Sequence, residues 1–505
     1  MLSTDREILL TTARSSAIRV ATMNCRTVMR SQQVLPLFRS NLPILTSTIH
    51  VSGECMNNTE DTFVLSDEEP TWRRAQGVRR LPKRSTAGFI LAMTFLFLEY
   101  VRPQDYVAAL GSIRPGLILS VLLFSLWLTK GEKGYLKSPL VRVHLAFVAL
   151  MVISVFYAAN NHVAFVTTKG MLITLLAGVL PLMAFVDSHE RLQKFIRLWV
   201  LFHVVAAVLG ILNGGKGPGS FLGDENDLAL ALNIAIPYAF FMSKSPGNSR
   251  KERLLYLGAT VVLVLGVIAT MSRGGFVGLL IVTCGLIVFS ENRLRNGLLL
   301  GFVGLIASLF ASEQYVEEMK TINDPTESTA QKRIYYWGRA WEMFVDNPVL
   351  GVGANNFPYQ IHEYEIRDPE YNIRHNKVNW GRAAHSAYFS LIAELGLTGA
   401  ILFGLVIVKL SRMLRSISRF YSTLRPDKIE TRHSEVILLS RAALVGLLGY
   451  LATGAFLSVL YYPHVWYLIA VAVILDRLVA RHREQLRDEG ALDSPGNRAG
   501  SAMVK

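Results

Sequence analysis

The stretch "ATVVLVLGVIATMSRGGFVGLLIVTCGLIVF", residues 259–289, holds one charged side chain, Arg273, in an otherwise apolar run. Crossing the hydrocarbon core takes about 20 mostly apolar residues. The run therefore belongs to two crossings, 254–272 and 274–290, folded back on "TMSRGG" at 270–275. Lipid offers no water to the backbone, so each crossing must satisfy its own N–H and C=O groups as a helix. The sequence is thus read as an all-α, polytopic integral membrane protein.

Composition agrees with this reading. Of 505 residues, 51% are hydrophobic and 18% charged, and the mean hydropathy is +0.33, more apolar than an ordinary soluble domain. Further crossings are expected at 85–101, 115–129, 139–158, 170–186, 195–212, 228–242, 297–311, 386–409, 438–460 and 464–479, twelve in all with the opening pair. Short loops rich in Lys and Arg stay in the cytoplasm. Such loops, holding Lys130, Lys133 and Lys137, then Arg191 and Lys194, then Lys244, Arg250, Lys251 and Arg253, alternate with sparse ones holding Arg102 and Arg114, Lys169, Lys216 and Arg273. Both termini then face the cytoplasm. The formal net charge of +14 is accounted for by sidedness, and no nucleic-acid partner is expected.

The organisation that follows is a disordered cytoplasmic extension over 1–84, nine spans over 85–311, a large outward loop over 312–385, three spans over 386–479 and a cytoplasmic tail over 480–505. Within the loop, "QKRIYYWGRAWEMFV" places Ile334, Trp337, Trp341, Phe344 and Val345 at helical spacing, predicting an amphipathic helix at the lipid surface or against the spans. "DNPVLGVGANNF" ends it, because Pro348 cannot continue a helix and Gly351 and Gly353 permit a tight turn. Cys25, Cys55 and Cys284 are too few and too scattered for a disulfide framework or a thiolate metal site.

Chemistry-bearing residues gather on the outward side. Arg273 at the hairpin tip reads either as a snorkelling cation or as a rigid guanidinium that grips phosphate oxygens. Lys332, Arg333 and Arg339 on the loop helix read as a headgroup-facing edge, or, for Arg333 beside its Tyr-Tyr-Trp neighbours, as an oriented cation. His385, just after Arg382, opens the tenth span. A lone interfacial histidine is commonly a packed residue, yet imidazole is also the side chain suited to accept a proton near neutral pH. Glu394 lies roughly 13 Å deeper along that helix, out of direct reach, and reads as a buried structural acceptor. "NGGKGPGSFLGDENDLALAL", residues 213–232, is a glycine-rich outward loop carrying Lys216, with no phosphate-loop spacing and no calcium-loop spacing at Asp224, Glu225 and Asp227. No metal is expected.

Taken together, "RIYYWGRAWEMFVDNPVLGVGANNF" and "AHSAYFSLIAELGLTG" resemble the signature region of the bacterial O-antigen ligase and polymerase superfamily. Arg333, Trp337, Asn347, Pro348, Gly351, Gly353, His385, Glu394, Gly396 and Gly399 occupy its pattern; "SRGG" at 272–275 is similar to its arginine hairpin, and "NDLAL", beginning at Asn226, to its entry into a span. Valine stands at 349 where leucine is usual, and Ser386 follows the histidine where asparagine is common. "EYVRPQDY", residues 99–106, is similar to ligase relatives of exosortase systems. The resemblance implies a GT-C-like, inverting, metal-independent glycosyltransferase of the bacterial inner membrane, needing no cofactor and working at the periplasmic face. Its donor would be a glycan on undecaprenyl diphosphate, its acceptor a glycan or lipid-linked hydroxyl, with membrane lipids around it. His385 would be the base; Arg273 and Arg333, with Arg339, Arg382 and Lys216 behind them, would hold the diphosphate; Glu394, Asn226, Gly351 and Gly353 would support the site. A polymerase of the same superfamily and a multi-pass transporter are the alternatives.

Overall fold

The computed structural model describes residues 85–298, 301, 328–367, 381–424 and 430–488. The expected 1–84 extension, most of the 297–311 crossing, parts of the outward loop and the end of the tail lie outside the described residues. Among those described, every regular element is helical: α1 (Thr86–Tyr100), α2 (Pro115–Lys130), α3 (Pro139–Tyr157), α4 (Asn161–Phe185), α5 (His189–Leu212), α6 (Glu225–Met242), α7 (Arg250–Ala269), α8 (Arg273–Val288), α9 (Ser328–Asp346), α10 (Phe357–Ile366), α11 (Ala387–Ser422), α12 (Thr431–Gly454) and α13 (His464–Asp488), with short turns between them.

Six helices, α3, α4, α5, α7, α11 and α12, are long and apolar enough to cross a membrane, while α1, α2 and α8 are apolar but shorter. Two more expected crossings take a different form. From Leu228 to Met242 every residue of α6 is buried, as is α13 from His464 to Leu475. A helix apolar on all sides belongs inside a bundle; α6 accordingly packs on α5, α7, α8 and α12, and α13 on α4, α11 and α12. Asn233 at the centre of α6 donates from Nδ2 to the Gly275 carbonyl of α8 at 2.8 Å and to Thr453 Oγ1 of α12 at 3.3 Å, a polar staple across three helices.

Two boundaries differ from expectation. The crossing placed at 170–186 begins at Asn161, whose preceding residue Asn160 caps it by accepting from the Val163 N–H at 3.2 Å. Lys169, expected in a loop, is therefore inside α4, its ammonium 5.9 Å from the Phe165 ring centre. The same helix widens into a π-turn over Thr174–Val179, just before Pro181. Proline has no N–H to give and crowds the preceding carbonyls, so the turn opens instead of breaking. α11 runs on past the expected end at 409 to Ser422, carrying Arg412, Arg415 and Arg419.

The described part of the outward loop has a core of its own. Tyr336, Ala340 and Met343 of α9 are buried with Phe357, Ile361 and Tyr364 of α10 and with Ala384 and Ala393. The apolar stripe anticipated from spacing is mostly a second face: Ile334, Trp341 and Val345 are exposed, Phe344 is half-buried with its ring 5.3 Å from that of Trp341, and Trp337 is half-buried with its ring stacked on Phe389 at 5.1 Å and 8°. Tyr336, Ala340 and Met343 supply the packing face instead.

Candidate functional site

His385 lies at a bend in the short connection before α11. Ser386 is the N-cap of that helix, its hydroxyl accepting from the Phe389 N–H at 3.5 Å. The position that departs from the family pattern thus still carries a good capping residue. His385 itself has φ 49°, in the left-handed region. Residues other than glycine are uncommon there, and such strain gathers at functional positions. The segment is held from the loop: Trp337 Nε1–H donates to the carbonyl of Ala384 at 3.0 Å. Since Arg333 is one helical turn before Trp337, the bond that fixes the histidine also fixes the arginine's helix.

The electrostatics of His385 identify its neighbours. Burial lowers its pKa from the ordinary 6.5, the charges of Arg333 and Arg382 lower it further, and the carboxylate of Asp224 opposes them. Three expected site residues, Arg333 from α9 and Arg382 and His385 from the segment before α11, are therefore within electrostatic reach, and Asp224 joins them.

Asp224 extends the cluster to the arginine hairpin. As the N-cap of α6, its Oδ1 accepts from the Asn226 backbone N–H and from Asn226 Nδ2, both at 2.9 Å. Asn226 Oδ1 in turn accepts from Ser272 Oγ–H at 2.7 Å, and Ser272 Oγ accepts from the Gly275 N–H at 2.9 Å, capping α8. Arg273 is the first residue of α8 and directly follows this cap. The preceding Met271, at φ 51°, makes the reversal tight enough to leave no loop. Beside the same entry, Tyr462 donates to Asp227 Oδ2 at 3.0 Å, and Lys216 pairs with Glu225 at 3.5 Å. The "EYVRPQDY" segment also reaches this region: a Cβ on Gly219 would fall 2.5 Å from Asp105 Oδ2, whose carboxylate binds Arg102 Nε at 2.6 Å.

The remaining motif residues form one interlocked piece of backbone. α11 breaks at Gly396, with φ 61° and ψ −160°. The break frees the carbonyls of Ala393 and Glu394, which accept from the Val352 and Gly353 N–H groups at 2.9 Å each. On its other side the Leu397 and Thr398 N–H groups donate to the carbonyls of Pro348 and Val349 at 2.8 and 3.1 Å. "NPVLGVG" and "ELGLTG" are thus two halves of one structure. A Cβ at Gly351 would fall 2.4 Å from the Glu394 backbone, and one at Gly353 would fall 2.3 Å from Ala158 Cβ at the end of α3. Glu394, buried, closes the unit: its carboxylate accepts from Tyr461 O–H at 2.6 Å and from the N–H groups of Asn355 and Phe357 at 2.9 and 3.3 Å. Asn356 Oδ1 accepts from the Asn160 N–H at 2.6 Å, seating the loop on the turn between α3 and α4.

Arg339 is placed differently. It donates to the Tyr364 carbonyl at 3.2 Å, pairs with Glu342 at 2.8 Å and lies 5.1 Å from the Tyr335 ring centre, so its contacts are those of a brace between α9 and α10. Sequence reading did not single out Asp224 as a neighbour of the histidine, nor Tyr461 and Tyr462 as partners of Glu394 and Asp227; the adjacent "YYPHVW" after α12 was the available signal. Among the described residues no group of three or more His, Cys, Asp or Glu is arranged to hold a metal ion.

Comparison with known proteins bears on this arrangement directly. A family described as O-antigen ligase matches residues 258–404, the segment from α7 through the hairpin, the outward loop and the first part of α11. The chain is also 24% identical over 313 residues to the teichuronic acid biosynthesis protein TuaE of Bacillus subtilis (strain 168), covering 54% of this chain and 59% of that protein. The chain thus spans about three-fifths of the length of that relative. The matched region contains Arg273, Arg333, Arg339, Arg382, His385 and Glu394. With several apolar helices long enough to cross a membrane around it, the chain is that of an integral membrane protein whose segment 258–404 is similar to the O-antigen ligase family and which is similar over part of its length to a protein of polysaccharide biosynthesis.

Proposed function

We propose that the protein transfers a glycan from undecaprenyl diphosphate to an acceptor hydroxyl, at the extracytoplasmic face of the bacterial inner membrane. The observation that carries the reading is His385, held in a strained backbone conformation, kept neutral by burial and by Arg333 and Arg382. A neutral imidazole can take a proton; an imidazolium cannot. In the proposed reaction the acceptor oxygen attacks the anomeric carbon as the bond from that carbon to the diphosphate oxygen breaks. The electron pair of the broken bond stays on the diphosphate, the acceptor proton passes to His385, and the anomeric configuration inverts. Charge growing on the leaving diphosphate is stabilised by Arg333, with Arg273 reaching the same end of the bundle through the Ser272–Asn226–Asp224 chain. Lys216 and Arg382 lie near enough to the same face to attract an anionic head. Arg339, bound into the loop, serves the site by holding α9 in place. No metal is needed where guanidinium groups carry the countercharge.

The relative named for teichuronic acid biosynthesis keeps a polymerase reading beside the ligase one. The two differ in the acceptor alone: another carrier-linked chain, or a different molecule. Reconstituted protein given a defined lipid-linked donor and each acceptor separates them by product. His385→Ala and Arg273→Ala should each reduce transfer by at least about 100-fold, the scale of a lost acid–base or charge-stabilising group, with the protein still present in the membrane at normal level. Transfer at the wild-type rate by either variant rejects the role given to that residue.

A further inference from the structure

At the far end of α6 from Asp224, about 27 Å along the helix at 1.5 Å per residue, a cavity of about 530 Å³ opens among α6, α7, α8, α12 and the helical residues 293–298. Its wall includes Lys244, Arg253, Arg295 and Arg441 against one carboxylate, Glu291. Sidedness alone spreads cations along an edge; here four separate segments turn theirs onto one hollow. Arg253 is braced by donating to the Ser245 and Pro246 carbonyls at 3.0 and 3.2 Å, and Arg441 by donating to the Phe289 carbonyl at 3.4 Å. Lys244, half-buried above the Phe240 ring at 5.3 Å, has its pKa lowered by burial and further by the neighbouring charge of Arg295.

Two further observations narrow the ligand. Asn296 also lines the cavity, is only 4% exposed, and its Oδ1 has no hydrogen-bond partner among the described residues. A buried acceptor without a donor is costly unless a ligand supplies one. Beside it Leu294 and Leu298, one helical turn apart, are 79% and 68% exposed, and Val288 at the end of α8 is exposed too. The hollow is therefore lined by cations and by an unmet acceptor, with exposed apolar side chains on the neighbouring turns.

We propose that this cavity binds the headgroup of an anionic phospholipid that carries both a phosphate and a free hydroxyl, of the phosphatidylglycerol type. The phosphate oxygens accept from Lys244 and Arg295, the headgroup hydroxyl donates to Asn296 Oδ1, and the acyl chains lie over Leu294, Leu298 and Val288. Basic pockets between membrane helices suit anionic headgroups for these reasons. The site is separate from the glycan-transfer site and does not depend on that reading.

The test uses the full chain purified into nanodiscs of phosphatidylcholine mixed with phosphatidylglycerol or with phosphatidic acid, with retained lipid counted by native mass spectrometry. Phosphatidylglycerol should be retained preferentially over both other lipids, and Lys244→Gln/Arg295→Gln should retain at least ten-fold less of it. Arg295 is exposed, so Arg295→Gln alone, a change that folding tolerates, should already lower retention several-fold. Equal retention of phosphatidylcholine and phosphatidylglycerol, or unchanged retention in both variants, overturns the proposal. Displacement of the lipid by an equal concentration of soluble glycerol phosphate also overturns it, since the site would then serve a free phosphate ester.

Discussion

The imidazole of His385 lies in a field set by two cations and one anion, so its proton affinity can be moved in either direction by changing single neighbours. Burial and the charges of Arg333 and Arg382 depress its pKa below 6.5, while Asp224 raises it. A base with a depressed pKa stays unprotonated further into acid. The acid limb of kcat/KM against pH, which reports groups of the free enzyme, should therefore fall below pH 6.5. Arg382→Gln removes a repelling cation and should move the limb upward; Asp224→Asn removes an attracting anion, keeps a capping side chain, and should move it downward. Shifts in the same direction, or a wild-type limb above 6.5, would show that some other group titrates. The same depressed value means the unfolded chain binds more protons than the folded one as pH drops through 6.5. His385 thus draws stability away on the acid side, and His385→Gln should flatten that part of the stability profile.

At the scale of elements, the break in α11 at Gly396 is what lets the outward loop dock, because a continuous helix would keep the Ala393 and Glu394 carbonyls for itself. Gly396→Ala places a Cβ 2.6 Å from the Val349 carbonyl in a left-handed conformation. Such strain, added to disturbed backbone hydrogen bonds on both sides of the break, should cost at least about 2 kcal/mol. Gly404→Ala in the same helix meets nothing within 4 Å and should be neutral, or stabilising by up to about 1 kcal/mol through helix propensity. Thermal unfolding of the two purified variants compares them. Equal melting temperatures would mean that the break does not hold the loop. Much of this element-level arrangement could be read in advance. "NPVLGVG" and "ELGLTG" announce a turn and a special backbone position by their glycines alone. What spacing could not show is that the two pair with each other, because Val349 and Thr398 are joined only in three dimensions. Nor could it choose between the lipid surface and the spans for the stripe of α9: Ile334, Trp341 and Val345 are exposed, while Tyr336, Ala340 and Met343 form a separate face packed inside. Lys169 misled in the opposite sense, since a lone cation marked a loop where Asn160 in fact starts a helix.

For the whole molecule, the deciding question is whether the two ends of α6 face opposite sides of the membrane. Both proposed sites depend on it: His385, Asp224 and the arginine hairpin gather at one end, Lys244 and Arg295 at the other. Hydropathy and charge alternation supply the expected sidedness from sequence, because both are properties of short local segments. Buried helices such as α6 and the first half of α13 satisfy the same pattern while touching little lipid, so composition alone does not count crossings. Cysteine labelling tests the arrangement without reference to activity. In a background with Cys25, Cys55 and Cys284 replaced by serine, Asn213→Cys stands before α6 and Arg250→Cys after it, both at exposed positions. A maleimide that cannot cross membranes should label position 213 in intact cells whose outer barrier is opened, and position 250 only once the inner membrane is breached. Labelling of both positions from the same side would place His385 and the basic cavity in one compartment. It would remove the physical basis for a lipid-linked donor held at one leaflet and an anionic phospholipid held at the other.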